Sequence, residues 1–135
     1  MDFRYIYTRL NVANFHACKA FYRDIMGLPV KFEDDRDEYV EFDANSIRLT
    51  LFNRQNLDNF IPKEESLSFD VHNAQIVLSF QVSNLEEATT HLKNHQVELL
   101  APPTSYPDRG FLSTCFRDPD GNLIEIEQMT DVLIS

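Results

Sequence analysis

Apolar and polar positions alternate singly over residues 3–12, the period of a half-buried strand, then change after Asn14 to three- and four-residue spacing. Phe15, Cys18, Phe21, Tyr22 and Ile25 form one helical stripe. This predicts a helix over residues 15–26, with Asn14 as its N-cap and Gly27 as its left-handed stop. Short strands follow at 29–32, 39–42 and 46–52, the last two joined by the turn Asp43-Ala44-Asn45-Ser46. A polar stretch over 54–73, with Pro62 inside it, reads as a linker. The order then returns: a strand at 75–83, Asn84 in a cap position, a helix face of Leu85, Ala88, Leu92 and His95, and a short strand at 97–100. Residues 101–110, with three prolines and Gly110, are expected to be a loop, and strands at 111–117 and 122–128 make a hairpin around Asp118-Pro119-Asp120-Gly121.

The repetition extends to residue types. Val12-Ala13-Asn14 aligns with Val82-Ser83-Asn84 at an offset of 70 (82 minus 12), and residues 45–49 align with 122–126 at an offset of 77 (122 minus 45). A repeated supersecondary unit usually means that each copy buries its apolar face with help from another. The expected fold is therefore α+β, with two tandem βαβββ modules forming an open curved sheet around a cavity. Module 1 covers about 3–53, the linker 54–73 and module 2 about 74–130, all within a single domain over 1–135.

Composition narrows the classes of function. A chain of 135 residues suits one compact domain, and no apolar run approaches the roughly 20 residues that cross a bilayer. With 22 acidic against 12 basic residues the net charge is -10, which repels phosphate backbones, so nucleic acid and anionic membrane are excluded as expected partners. The first residues alternate like a strand and show no basic start before an apolar core, so a cytoplasmic location is expected. Cys18 and Cys115 fall on different elements and are expected to be reduced thiols.

Two motifs resemble the vicinal-oxygen-chelate superfamily, which includes glyoxalase I, bleomycin-resistance proteins and extradiol dioxygenases. One is Asn11-Val12-Ala13-Asn14 with Ala20-Phe21-Tyr22-Arg23-Asp24-Ile25-Met26-Gly27-Leu28, similar to the family's first strand-to-helix junction and helix end. The other, Phe116-Arg117-Asp118-Pro119-Asp120-Gly121-Asn122-Leu123-Ile124-Glu125-Ile126, is similar to its closing hairpin. The resemblance implies a divalent metal held by the first and last strands of each copy. Those positions here are Tyr7, Val77, Arg48 and Glu125, and only Glu125 is a ligand for a hard cation. A two-residue shift would offer Tyr5, Arg9, Gln75 or Ser79, which rebuild no strong site. His72 reads as a loop residue, and His91 with His95, four apart on the second helix, lack a third ligand. No metal and no other cofactor is expected.

Strand parity sorts the remaining candidates. Ile6, Leu10, Val12, Ile47, Leu49, Leu51, Ile76, Leu78, Phe80, Val82, Ile124 and Ile126 are assigned to the core. Opposite them stand Tyr5, Tyr7, Arg9, Asn11, Arg48, Thr50 and Phe52 in one copy, and Gln75, Val77, Ser79, Gln81, Glu125 and Glu127 in the other. The expected ligand-binding set is Tyr7, Arg9, Arg48, Thr50, Phe52, Ser79, Glu125 and Glu127. Arg48 and Glu125 are taken as equivalent points of the two copies, paired as ions where relatives keep their metal. The function this suggests is binding of a small organic molecule in the inter-module cavity by a homodimer. The alternative is a divergent glyoxalase-like lyase or isomerase, or a dioxygenase-related metalloenzyme; a metal-free enzyme would use Glu125 as catalytic base.

Overall fold

The computed structural model describes residues 1–2, 7–59 and 76–130. The chain divides into two compact units, Met1–Phe69 and Asp70–Ser135. Among the described residues, no helix is long and apolar enough to cross a membrane.

The first unit contains β1 (Tyr7–Val12), α1 (Phe15–Ala20), a π-helical turn (Phe21–Ile25), β2 (Val30–Asp34), β3 (Tyr39–Ala44), β4 (Ile47–Asn53) and a 3₁₀ segment (Arg54–Asn59). Its sheet has the order β1-β4-β3-β2, with β1 parallel to β4 and the other pairs antiparallel. The second unit contains β5 (Val77–Gln81), α2 (Leu85–Asn94), β6 (Thr104–Tyr106), β7 (Phe111–Arg117) and β8 (Leu123–Met129), in the matching order β5-β8-β7-β6. Both units are therefore βαβββ modules with a parallel pair formed by their first and last strands.

Local chemistry explains the elements. Asn14 Oδ1 accepts from Ala17 N at 3.3 Å, and Asn84 Oδ1 accepts from Glu87 N at 3.0 Å, so both helices start on an asparagine cap. Gly27 takes φ 73, Asn45 takes φ 64 in the β3–β4 turn and Gly121 takes φ 88 in the β7–β8 turn. That last turn is tied by Asp118, whose Oδ1 accepts from the amides of Asp120 and Asn122, both at 2.9 Å. In the first unit α1 packs on β4 over Val12, Cys18, Tyr22, Val40, Phe42, Leu49 and Leu51, all essentially without solvent exposure. In the second, α2 lies against β8, where Leu85, Leu92, Phe116, Ile124 and Ile126 are buried.

Several expectations change. The first helix is α-helical only to Ala20; the next turn widens, with Met26 N donating to Phe21 O at 3.0 Å across five residues. Within that turn two consecutive aromatics, Phe21 and Tyr22, are both buried. Residues 97–100 form no strand, only an isolated bridge from Leu99 to Phe116. The expected loop at 101–110 instead contains the short edge strand β6, because Pro102 and Pro103 lack amides and leave ladder pairing to Thr104–Tyr106. Ile47 and Ile76 are not core: they are 42% and 73% exposed, one opening its strand after the turn and the other preceding β5. His95 is the exposed C-cap of α2, and Thr89 takes the buried place on that face. Tyr5, Ile6, Pro62, His72 and Gln75 lie outside the described residues.

Candidate functional site

In the first unit, the sheet face opposite α1 collects every first-copy residue that strand parity selected and that the structure describes. Tyr7 stands beside Arg48, Arg9 beside Thr50, and Asn11 beside Phe52 across the parallel β1–β4 pair. Antiparallel β3 adds Tyr39, Glu41 and Asp43, because it registers Tyr39 with Phe52, Glu41 with Thr50 and Asp43 with Arg48. The sequence reading missed these three. Their signal was present as the alternation of Tyr39, Glu41 and Asp43 with the fully buried Val40 and Phe42.

A cavity of about 360 Å³ opens on this face, lined by Tyr7, Arg9, Tyr39, Glu41 and Thr50. The Arg9 guanidinium carbon lies 5.0 Å from the Phe52 ring centroid, and the Tyr39 ring meets Phe52 edge-on at 6.3 Å. Arg48 Nε is 3.3 Å from Glu41 Oε2, and its Nη1 donates to Asp43 Oδ1 at 3.1 Å. Side-chain exposure is only 18% for Arg48 and 14% for Glu41, so the two charges need each other. Thr50 is buried and donates to Thr8 O at 3.1 Å. Burial, reinforced by the Glu41 carboxylate and the Tyr7 side chain, pushes the Tyr39 phenol up; Arg9 and Thr50 act in the opposite direction. Asn11 Oδ1 is buried on the same face and meets no donor among the described residues.

The corresponding face of the second unit has different chemistry. Ser79 stands beside Glu125 and Gln81 beside Glu127, with Cys115 across from Glu125 on β7. Ser79 Oγ donates to Glu125 Oε1 at 2.8 Å. Burial raises the Cys115 thiol, the Glu125 carboxylate adds to the effect and Arg117 opposes it.

Strand register also corrects the equivalence of Arg48 with Glu125. The two N-caps set the first-strand offset at 70 (84 minus 14), so Tyr7 corresponds to Val77 and Arg9 to Ser79. Val77 pairs with Leu123 and Ser79 with Glu125, so the counterpart of Arg48 is Leu123 and the counterpart of Glu125 is Thr50. The repeated triplet is Arg9, Thr50 and Glu41 in one unit, and Ser79, Glu125 and Cys115 in the other. The alignment of residues 45–49 with 122–126 missed this because it spans turns of unequal length, four residues between Asp43 and Arg48 against five between the corresponding Arg117 and Leu123. The carboxylates that hold Arg48 are Glu41 and Asp43, on the adjacent strand of its own sheet.

The family model of the Glyoxalase/Bleomycin resistance protein/Dioxygenase superfamily matches residues 4–126. The chain belongs to this superfamily. It is 28% identical over 121 residues to the uncharacterized protein YraH of Bacillus subtilis (strain 168), covering 90% of this chain and 94% of YraH. Among solved structures, it is similar to a lactoylglutathione lyase from Agrobacterium tumefaciens with TM-score 0.71 and 23% identity, over 95% of each chain. It is also similar to a glyoxalase/bleomycin resistance protein/dioxygenase from Nocardioides with TM-score 0.71 and 19% identity, over 97% of this chain and 87% of the other. At these identities the two structures speak for the fold.

Metal-using members of the superfamily need oxygen or imidazole ligands, and among the described residues at the corresponding strand positions only Glu125 is a carboxylate or imidazole. Tyr7 and Val77 occupy the first-strand positions, while Thr50 and Arg48, the two candidates on β4, are respectively bonded to a backbone carbonyl and held by two carboxylates. Among the described residues no group of three or more His, Cys, Asp and Glu side chains could hold a metal ion. His91 and His95 have ring centroids 4.4 Å apart, with His95 Nδ1 within 2.9 Å of His91 O.

Proposed function

We propose that this superfamily member binds a small organic molecule on the open sheet face of its first unit, without the divalent ion that metal-using relatives employ. The observation that supports this reading is the roughly 360 Å³ cavity lined by Tyr7, Arg9, Tyr39, Glu41 and Thr50, beside an Arg48 already committed to Glu41 and Asp43. Its size lies within the usual range for small-ligand pockets, and its lining joins aromatic surface to a few fixed polar groups. A guanidinium two residues along β4 from the cavity's Thr50 repels a divalent cation, and removing it would take from the sparsely solvated Glu41 the counter-ion that Arg48 supplies.

A second reading, a metal-free enzyme with Glu125 as base, draws on the Ser79 hydroxyl that orients that carboxylate at 2.8 Å. The same proposal has the chain act as a homodimer, since β2 is an edge strand with Val30 and Phe32 exposed.

Elemental analysis of the purified protein, with mass-spectrometric identification of small molecules retained from a metabolite extract, tests the binding reading. The expected result is a retained organic molecule, released by substitutions on the first-unit face, at substoichiometric metal. Stoichiometric nickel, zinc, manganese or iron would overturn it. Light scattering of the eluted protein checks the dimer.

A further inference from the structure

We infer that the second unit carries a binding site of its own, on the sheet face opposite α2, for a primary ammonium ion attached to an aromatic group. The ammonium sits between Glu127 and Ser113, and the aromatic group lies against the ring pair of Tyr106 and Phe111. The site does not depend on ligand binding by the first unit.

Strand register assembles the face. On the antiparallel β7–β8 pair, Ser113 stands across from Glu127 and Phe111 across from Met129, while β6 brings Thr104 beside Ser113 and Tyr106 beside Phe111. The alternate residues Thr114, Phe116, Ile124 and Ile126 are buried on the helix side, so Phe111, Ser113, Glu127 and Met129 share the opposite one.

Charge on this face favours a cation. Glu125 and Glu127 place two carboxylates on β8, in different situations. Glu125 accepts from Ser79 Oγ at 2.8 Å, whereas the half-buried Glu127 meets neither a hydrogen bond nor an ion pair among the described residues. Arg117, the cation on the same side of β7, stands toward the other end of the strand, where its Nη1 donates to Gly121 O at 3.0 Å. A partly desolvated carboxylate with no donor facing it is costly, and an incoming cation relieves that cost. The net charge of -10 raises the local concentration of cations around the protein.

Ser113 narrows the cation to one that donates hydrogen bonds. It is 6% exposed, and its hydroxyl has no hydrogen-bond partner among the described residues. The unbonded side-chain oxygens sealed from solvent among those residues are Asn11 Oδ1 and Thr130 Oγ1, so the Ser113 hydroxyl keeps an opening onto the face. A buried hydroxyl and a carboxylate on directly opposed positions are satisfied together by one group with several N–H donors. A primary ammonium has three and no acceptor, so one reaches Glu127 and another Ser113 Oγ. A quaternary ammonium has none to offer.

The rings set the rest of the ligand. Tyr106 and Phe111 stack with centroids 5.0 Å apart and planes inclined by 27°, and Tyr106 and Met129 are each 45% exposed. Phe111 lies two residues along β7 from Ser113, about 7 Å at the rise of a strand. That spacing suits a ring joined to the ammonium by a two-carbon arm.

Phenethylammonium, its trimethylammonium analogue, phenethyl alcohol and hydrocinnamate present one ring on one arm with different head groups. Titration of the full chain at neutral pH, followed by nuclear magnetic resonance shifts of β7 and β8 amides, is expected to rank phenethylammonium first and hydrocinnamate last. Glu127→Gln is expected to weaken phenethylammonium by about tenfold, the scale of one charge-assisted contact, and to leave the alcohol unchanged. Ser113→Ala is expected to weaken phenethylammonium about threefold and to leave its trimethylammonium analogue unchanged. An unaltered melting temperature is expected for Glu127→Gln, since Glu127 has no bond to lose, and the ranking in the unsubstituted protein is a test that needs no variant. Binding of the trimethylammonium analogue as tightly as phenethylammonium, preference for the alcohol or hydrocinnamate, shifts spread evenly over both units, or full affinity in Glu127→Gln would overturn the site. Ligand binding by the first unit is followed through its own amides and stands or falls separately.

Discussion

The two sheet faces of this protein share a topology and differ in nearly every side chain that matters. On the first, Arg9, Thr50 and Glu41 occupy a triplet of neighbouring strand positions, surrounded by Tyr7, Tyr39 and Phe52. On the second, the same three positions hold Ser79, Glu125 and Cys115. One face is aromatic and balanced in charge, with an internal Arg48–Glu41–Asp43 network; the other is a compact hydroxyl–carboxylate–thiol cluster. Strand order and helix packing depend on the buried side of each sheet, where both units keep aliphatic and aromatic residues. The opposite side is free to diverge, so duplicated architecture carries duplicated positions without duplicated chemistry.

The sharpest test of the shared side uses Phe42 and Phe116, which register against Leu49 and Ile124 at corresponding points of the two units and are fully buried. Phe42→Ala and Phe116→Ala are each expected to cost about 3–5 kcal/mol in urea unfolding, through lost apolar contact and a residual cavity. A large cost at one site and a negligible one at the other would break the equivalence of the cores.

The divergent side should respond unequally. Arg48→Met strands the sparsely solvated Glu41 and is expected to cost about 1–3 kcal/mol, partly recovered by adding Glu41→Gln. Glu125→Gln in the second unit keeps a partner for the Ser79 hydroxyl and is expected to cost no more than about 1 kcal/mol. Equal losses would mean that the first-unit network has no special role.

Glu125→Gln carries a second consequence confined to its own unit. The Cys115 thiol is raised by burial first and by the Glu125 charge second, so removing that charge lowers it. In a Cys18→Ser background, ultraviolet titration of the thiolate and alkylation by iodoacetamide near pH 8 should both show a more reactive sulfur. An unchanged titration would mean that Glu125 does not act on Cys115 electrostatically.

The smallest expected effect is alkaline and belongs to the first unit. Hydrogen bonding to Glu33 raises Lys19 above its ordinary 10.5, so the ammonium's stabilisation is complete below that pH and disappears as pH rises through the higher folded value. Tyr39 acts in the same direction: its raised phenol pKa means that the folded state resists ionisation, so stability falls as pH climbs past the ordinary value of 10.0. First-unit amides should therefore lose hydrogen-exchange protection above about pH 10, and Lys19→Met should reduce that loss. The raised Cys115 thiol gives the second unit a loss of the same sign that begins past its ordinary 9.0. An unchanged alkaline loss in the Lys19→Met first unit would contradict this assignment.

Much of the fold was readable from residue order, because its signals are local. Asn14 and Asn84 announce helix starts whatever surrounds them, Gly27 and Gly121 supply positive φ, and Gly110 with Asp118-Pro119-Asp120-Gly121 brackets the strand Phe111–Arg117. The candidate face was partly readable for the same reason: alternation put Tyr7, Arg9, Arg48, Thr50 and Phe52 on one side. It failed for Tyr39, Glu41 and Asp43, which reach the site only because β3 inserts between β4 and β2.

By itself, the sequence determined the order of both helices and of every strand but the short β6, the apolar side of most strands, and that the pattern occurs twice. Tertiary structure alone decided the pairing register. Two residues of slip preserve every inward and outward assignment, yet they replace Arg48 with Thr50 as the counterpart of Glu125. Side-chain alternation has period two and cannot detect a shift of two, whereas hydrogen bonds between parallel strands and the lengths of the turns that deliver them can.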